Sequence, residues 1–224
     1  MPIDDNRLEQ FVRTKLVYDS FPETKEFVMP TRTYKTCRAF MKKHKLLKDV
    51  RLIPYEIETG FNPTKALNLA VRESNYDHLV VTGPEVKPTT QILEQFSKNI
   101  NKNIICQVFD QDENGNLTSL VNEHYRNTSP QPYFLALFQK SNIEQINGWD
   151  ENFMGGYAYE DNDFGDRWIR AGIPFEIREY IQATHLYHPR LETVPGGLGV
   201  NQALYNKNQS EGVVKCKNGL YPFE

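Results

Sequence analysis

The stretch "GGYAYEDNDFGDRW", residues 155–168, places Glu160, Asp161, Asp163 and Asp166 behind a glycine pair and two tyrosines. A carboxylate at the end of a glycine–aromatic loop is well placed to take a proton from a hydroxyl. Gly155 and Gly156 let the backbone come close to something bulky, and Tyr157 and Tyr159 offer flat faces of the kind that pack on sugar rings. The plain alternative is a helix start, where the macrodipole favours negative charge in the first turn. On these residues alone both readings stand.

Two other places carry groups suited to chemistry. In "LVVTGPEVKP" an apolar strand ends in a tight turn with Glu85 at its tip. A carboxylate just past the carboxyl end of a strand lies where open α/β sheets bind ligands. Gly83 and Pro84 also suit an ordinary turn. In "ATHLYHPR", His185 and His188 can supply imidazoles to a metal, with carboxylates completing the set. A lone histidine in apolar surroundings is as readily a structural residue.

The elements that must position these groups follow from periodicity and turn signals. Residues 26–32, 49–58, 77–82, 103–109, 132–140 and 174–180 read as strands. Helices are predicted over 33–47, from Asn62 and Pro63 to about residue 74, over 87–100, over 141–148, and from Asp161 to Ala171 with Gly172 as the stop. The turn cluster "DQDENGN" predicts a hairpin after residue 109. Residues 1–25 give mixed signals and receive no element, and the glycine-rich, polar segment 191–210 reads as a mobile loop or lid. Alternation of strand and helix predicts one α/β domain over residues 1–224, with a mixed, mostly parallel sheet flanked by helices.

Composition bounds the function. The 224 residues suffice for one substantial core, and the net charge of −3 gives no global pull toward nucleic acid or an anionic membrane. Three scattered cysteines argue against a disulfide framework and fit a reducing compartment. The polar start "MPIDDNRLEQ" lacks a signal pattern, and no apolar run approaches a membrane span, so a cytoplasmic location is expected. Lys35, Arg38, Lys42 and Lys45 recur at helical spacing and read as a solvated helix face.

The order of these features along the chain resembles GT-A-fold glycosyltransferases related to family two and to the galactosyl- and N-acetylgalactosaminyl-transferases. "INGWDENFMGGYAYEDNDFGDRWIRAGIPF" resembles their acceptor-side block, "GFNPTKALNLAVRESNYDHLVVTGPEVKP" their donor-side block, and "THLYHP" their metal-binding histidine segment. The resemblance implies transfer of a sugar from a nucleotide-sugar donor, foremost a UDP-sugar, to an acceptor hydroxyl, with inversion and help from Mn²⁺ or Mg²⁺. It makes Asp161 the general base and Glu160 its sugar-binding neighbour. It makes Glu85 the last carboxylate of D-x-D, His185 a metal ligand, and His188 the fallback ligand. Pro30, Thr31, Arg32, Lys65, Asn68 and Gly83 match the donor side, and Gly156, Tyr157 and Tyr159 the acceptor side. Where the family has the first Asp of D-x-D, this chain has Gly83. That departure motivates a second reading, a non-catalytic binder of glycans or nucleotide sugars. A third, a sugar-phosphate nucleotidyltransferase, lacks its glycine-rich, arginine-containing phosphate loop in residues 1–40.

Overall fold

Apolar runs bounded by turn residues form the strands, and two sheets result. The computed structural model describes residues 1–56, 63–120, 134–153, 158–189 and 197–223. Strands β1 (Phe27–Thr31) and β2 (Val50–Pro54) pair in parallel, with α2 (Tyr34–Lys43) between them in the chain. Helix α3 (Pro63–Glu73) then leads to the larger sheet. Its strands are β3 (His78–Thr82), β4 (Val86–Pro88), β5 (Ile104–Gln111), β6 (Leu117–Leu120), β7 (Leu135–Gln139) and β8 (Glu176–His185). Their order is β3-β7-β5-β8-β4, with β6 paired to β5.

Direction follows from the pairings. β7 is antiparallel to both β3 and β5, and β5 is parallel to β8, so β3, β5 and β8 all point the same way. Their carboxyl ends, near Thr82, Asp110 and His185, therefore share one edge. The sheet is mixed as expected, yet four of the six described pairings are antiparallel rather than most being parallel. Connection length explains part of this. A parallel pair needs a crossover of about a dozen residues or more, whereas the Asp112 turn folds β6 straight back on β5.

Three other expectations are corrected. Residues 5–19 are helical: a 3-10 turn Asp5–Arg7 runs into α1 (Leu8–Asp19). Its buried face includes Thr14 and Lys15, which blurs the apolar stripe; Lys15 pairs with Asp19 and lies 5.0 Å over the Phe27 ring. The helix predicted over 87–100 shortens to α4 (Ile92–Ser97), because Val86–Pro88 pair with β8 instead. Residues 197–210 of the expected loop form helix α7 (Gly197–Ser210), and residues 191–196 lie outside the described residues. Helices α5 (Lys140–Gln145) and α6 (Glu160–Arg170) complete the order.

Two apolar clusters carry the packing. One joins α1, α2 and β1 to the large sheet through Phe11, Met29, Met41, Val86, Ile104, Leu135 and Ile181. The other seats α6 and the 146–149 segment on the sheet through Phe138, Ile146, Trp149, Phe164 and Trp168. Burying each such side chain is worth about 1.5–3 kcal/mol. Among the described residues no helix is long and apolar enough to cross a membrane.

Candidate active site

Strand register assembles the first group of residues. Val86 lies opposite His185 across β4–β8, and Asp110 lies opposite His185 across β5–β8. The backbone N–H of Leu186 donates to the Glu85 carbonyl at 2.9 Å, fixing the turn beside the strand end. Candidate ligand atoms of Glu85, His185 and His188 consequently fall within 4.8 Å of one another.

The second partners of the imidazoles orient them. Asp110 Oδ1 lies 2.9 Å from His185 Nδ1, which leaves His185 Nε2 facing Glu85 Oε1 at 3.6 Å. His188 Nδ1 lies 3.0 Å from the Pro189 carbonyl and so carries the donated proton, freeing Nε2. Carboxylates and carbonyls behind ligating histidines set tautomer and ring angle in this way. Burial pushes the Glu85 carboxyl up, but the His185 hydrogen bond and the charges of His185 and Arg7 together bring it below its ordinary value. Burial depresses His185, and its bonds to Glu85 and Asp110 outweigh that and raise it. Burial lowers His188. Glu85 Oε2 is buried with no hydrogen-bond partner among the described residues. One carboxylate, with its Oε2 free of hydrogen bonds among the described residues, and two oriented imidazoles fit a divalent ion.

Gly83 has a specific role here. A Cβ at residue 83 would stand 2.8 Å from Glu85 Oε1, so the Glu85 carboxylate folds over the space that the expected Asp would fill. One acidic group thus takes the position of two.

The second group sits at the start of α6. Helix α6 is followed, after residues 171–175, by β8, and it packs on the sheet through Phe164 and Trp168. Glu160 and Asp161 are both raised: burial is the leading cause for each, and the neighbouring Glu160 charge adds to Asp161. Asp161 keeps some solvent-accessible surface yet is surrounded by protein atoms. The Trp149 indole N–H favours its ionised form, although Trp149 Nε1 makes no hydrogen bond among the described residues. Ala158 and Tyr159, just before the helix, both hold positive φ (62° and 71°), a conformation that non-glycine residues resist. Asn201 of α7 secures it by donating to the Ala158 carbonyl at 2.8 Å, while the Tyr205 ring lies 5.4 Å from that of Tyr159. Gly156 and Tyr157 lie outside the described residues.

Asp163 and Asp166 are more than a helix start. Asp163 is fully buried, accepting from Arg167 Nε at 2.7 Å and Asn208 Nδ2 at 2.8 Å. Arg167 also donates to the Ile146 and Gly148 carbonyls at 2.8 Å each. Asp166 accepts from Tyr205 Oη at 2.7 Å and from Gln209. These residues bind α7 and the 146–148 turn to α6.

The expected donor-side residues divide. Asn68 is fully buried and bonds both ways to the Trp149 backbone, at 2.8 and 2.9 Å, so it braces the acceptor-side block and is not a free donor contact. Gly148 beside it holds φ +71°, and its Cβ would stand 2.4 Å from Asn68 Oδ1, which leaves glycine as the only fit. Pro30 and Thr31 are buried; Thr31 Oγ1 lies 3.4 Å from Cys37 Sγ and from Thr33 Oγ1. Arg32 is exposed and paired with Asp4. Lys65 Nζ donates to the Glu56 carbonyl at 2.9 Å.

Residues 119–189 match a family described as the N-terminal domain of galactosyltransferase, a span holding the α6 carboxylates and both histidines. The structure superposes on S. aureus TarS 1-349 in complex with UDP-GlcNAc with a TM-score of 0.64 at 12% identity, covering 85% of this chain and 58% of that one. It superposes on the mannosyltransferase PcManGT from Pyrobaculum calidifontis, in complex with GDP-Man and Mn2+, with a TM-score of 0.58 at 14% identity, covering 82% and 54%. The fold is that of the GT-A glycosyltransferases. No curated protein matches the chain by sequence. The chain spans 36% of the TarS crystal structure and little more than half of the shorter ones.

Within this GT-A fold, sequence reasoning overlooked four residues. Asp110 was hidden in a turn cluster, although an acidic residue at the end of the apolar run 103–109 was its signal. Arg7 lies with its Nε 3.9 Å from Glu85 Oε2, on a segment to which no element was assigned. Asn201 and Asn208 belong to a stretch whose glycines pointed to a loop.

Proposed function

We propose that the chain is a glycosyltransferase catalytic domain that moves a sugar from a nucleotide-sugar donor, with a UDP-sugar as the first candidate, to an acceptor hydroxyl. The observation that carries this reading is the Glu85–His185–His188 cluster at the strand ends, and the buried Asp161 beside Glu160 at the start of α6 supports it. Glu85, His185 and His188 would hold Mn²⁺ or Mg²⁺, which would supply Lewis-acid neutralisation of the leaving diphosphate. Asp161 takes the proton of the acceptor hydroxyl as that oxygen bonds the anomeric carbon. The bond from carbon to the diphosphate oxygen breaks, and the diphosphate leaves with the electron pair. A single displacement of this kind inverts the anomeric carbon. Burial and Glu160 hold the Asp161 carboxyl above its ordinary range, which suits a group that must both accept and release a proton. Tyr159 offers its ring to the acceptor, with Gly156 and Tyr157 as further acceptor contacts. Gly83, Lys65 and Arg32 belong to the donor side.

The test is a panel of UDP- and GDP-sugars in thermal-shift titration with and without Mn²⁺, followed by hydrolysis and transfer assays. A donor should stabilise the protein and be turned over. Asp161→Asn should keep donor binding and lose transfer by about a hundred- to ten-thousand-fold. Transfer at the wild-type rate would remove Asp161 from its role, and no response to any donor would sink the reading. Gly83 in place of an acidic ligand favours one alternative, a non-catalytic binder; stabilisation without hydrolysis or transfer would select it.

A further inference from the structure

We infer that Arg7 makes metal and diphosphate binding mutually dependent: its guanidinium receives the donor diphosphate and opposes a cation bound without it. The inference rests on the transferase reading and adds to it a residue from outside both sequence blocks.

Placement comes first. Arg7 ends the 3-10 turn that opens α1, and Leu8 and Phe11 sink that helix into the core. Gln10 Nε2 donates at 3.1 Å to the carbonyl of Tyr187, which lies between the two histidines. The helix that carries Arg7 is thereby tied to the histidine segment of the candidate metal cluster. Arg7 Nε stands 3.9 Å from Glu85 Oε2, and only 18% of its side chain is exposed.

Satisfaction comes second. The Arg7 guanidinium makes no hydrogen bond among the described residues, and the facing Glu85 Oε2 makes none either. Asp4, the other nearby carboxylate, is committed to the side chain and backbone N–H of Arg32. A largely buried guanidinium therefore keeps its planar fork of donors available, and that fork matches phosphate oxygens in pairs.

Charge comes third. A divalent ion on Glu85, His185 and His188 sits beside this fixed positive group, and Gly83 leaves it one acidic ligand at the turn where two were expected. Both features weaken the ion's hold when it binds alone. A diphosphate reaching both the ion and Arg7 replaces the repulsion with attraction on either side. The coupling is reciprocal, so metal and nucleotide each tighten the other by one factor.

Calorimetric titration on the full chain tests this with Mn²⁺ under free-metal buffering, UDP, GDP and the matching monophosphates. In the wild type, UDP or GDP should tighten Mn²⁺ binding on the order of tenfold or more, and the monophosphate should do less. Arg7→Gln should weaken diphosphate affinity by about tenfold, leave Mn²⁺ alone bound as tightly or more so, and shrink the coupling factor. Arg7→Lys, which keeps the charge and loses the fork, should fall between, and it carries the test should Arg7→Gln fail to fold. Unchanged diphosphate affinity and coupling in both variants would overturn the role of Arg7 and leave the transferase reading standing. If the wild type binds neither diphosphate with or without Mn²⁺, both fall together.

Discussion

Asp161 and Asp163 lie two residues apart on α6 and are treated in opposite ways. Asp163 is wholly buried and fully engaged, gripped by Arg167 and Asn208. Asp161 keeps a path to solvent and has no cation, only the neighbouring Glu160 to repel it. The same contrast separates larger regions. The face joining α6 to α7 consists of committed polar pairs, whereas Glu85 Oε2 at the sheet edge makes no hydrogen bond among the described residues and meets Arg7 only at 3.9 Å. Burial alone does not mark a functional carboxylate. What sets Asp161 apart from Asp163 is burial in which the neighbours withhold a counter-charge.

The largest test of this contrast is Arg167→Met. Removing one partner of a buried pair leaves the other charge uncompensated, at a cost of about 3–5 kcal/mol. Asp163 would be stranded, together with the Ile146 and Gly148 carbonyls that Arg167 serves. Urea unfolding should show the midpoint falling accordingly, and Asp163→Asn combined with Arg167→Met should recover part of the loss. A wild-type midpoint for Arg167→Met would erase the distinction between the two aspartates.

The legibility of this arrangement in the sequence follows the same division. Strands β1, β3, β5 and β7 and helix α3 were readable because each is a local apolar run closed by turn residues. Glu85, His185 and His188, which lie together, were readable as residue types, since each lies within three residues of a strand end. Pairing was not readable. That Asn68 would turn inward to Trp149, or that Asp110 would stand behind His185, depends on register across β5–β8 and on contacts more than seventy residues apart. Helix α7 was unreadable for a related reason. Its buried residues are Asn201 and Asn208, whose partners lie on α6 and the loop before it, so no apolar stripe announces it.

A smaller effect concerns the oriented side of the metal cluster. Asp110→Asn should leave Glu85, His185 and His188 in place yet loosen the ring that Asp110 holds at 2.9 Å. Loss of such a supporting carboxylate weakens metal affinity by about 10–100-fold. Mn²⁺ titration should read that loss, with the unfolding midpoint nearly unmoved. A variant that bound Mn²⁺ as the wild type does would make Asp110 a bystander and leave the cluster unsupported.

The smallest effect is the stability that Asp161 withholds. Its folded carboxyl is raised above the unfolded value of about 3.9, so the folded state holds the proton more tightly than the unfolded chain. Stability from this group is therefore full below about pH 3.9 and is lost as pH rises through the folded value. Asn at 161 carries no charge and escapes that loss. Asp161→Asn should melt with the wild type in acid and above it at pH 8. Thermal melts from pH 4 to pH 8 read the difference directly, and a variant less stable at pH 8 would contradict the assignment. Asp163→Asn should move the other way, losing the charge that Arg167 and Asn208 grip. A carboxylate that weakens the fold while its neighbour on the same helix strengthens it is what the role proposed for Asp161 requires.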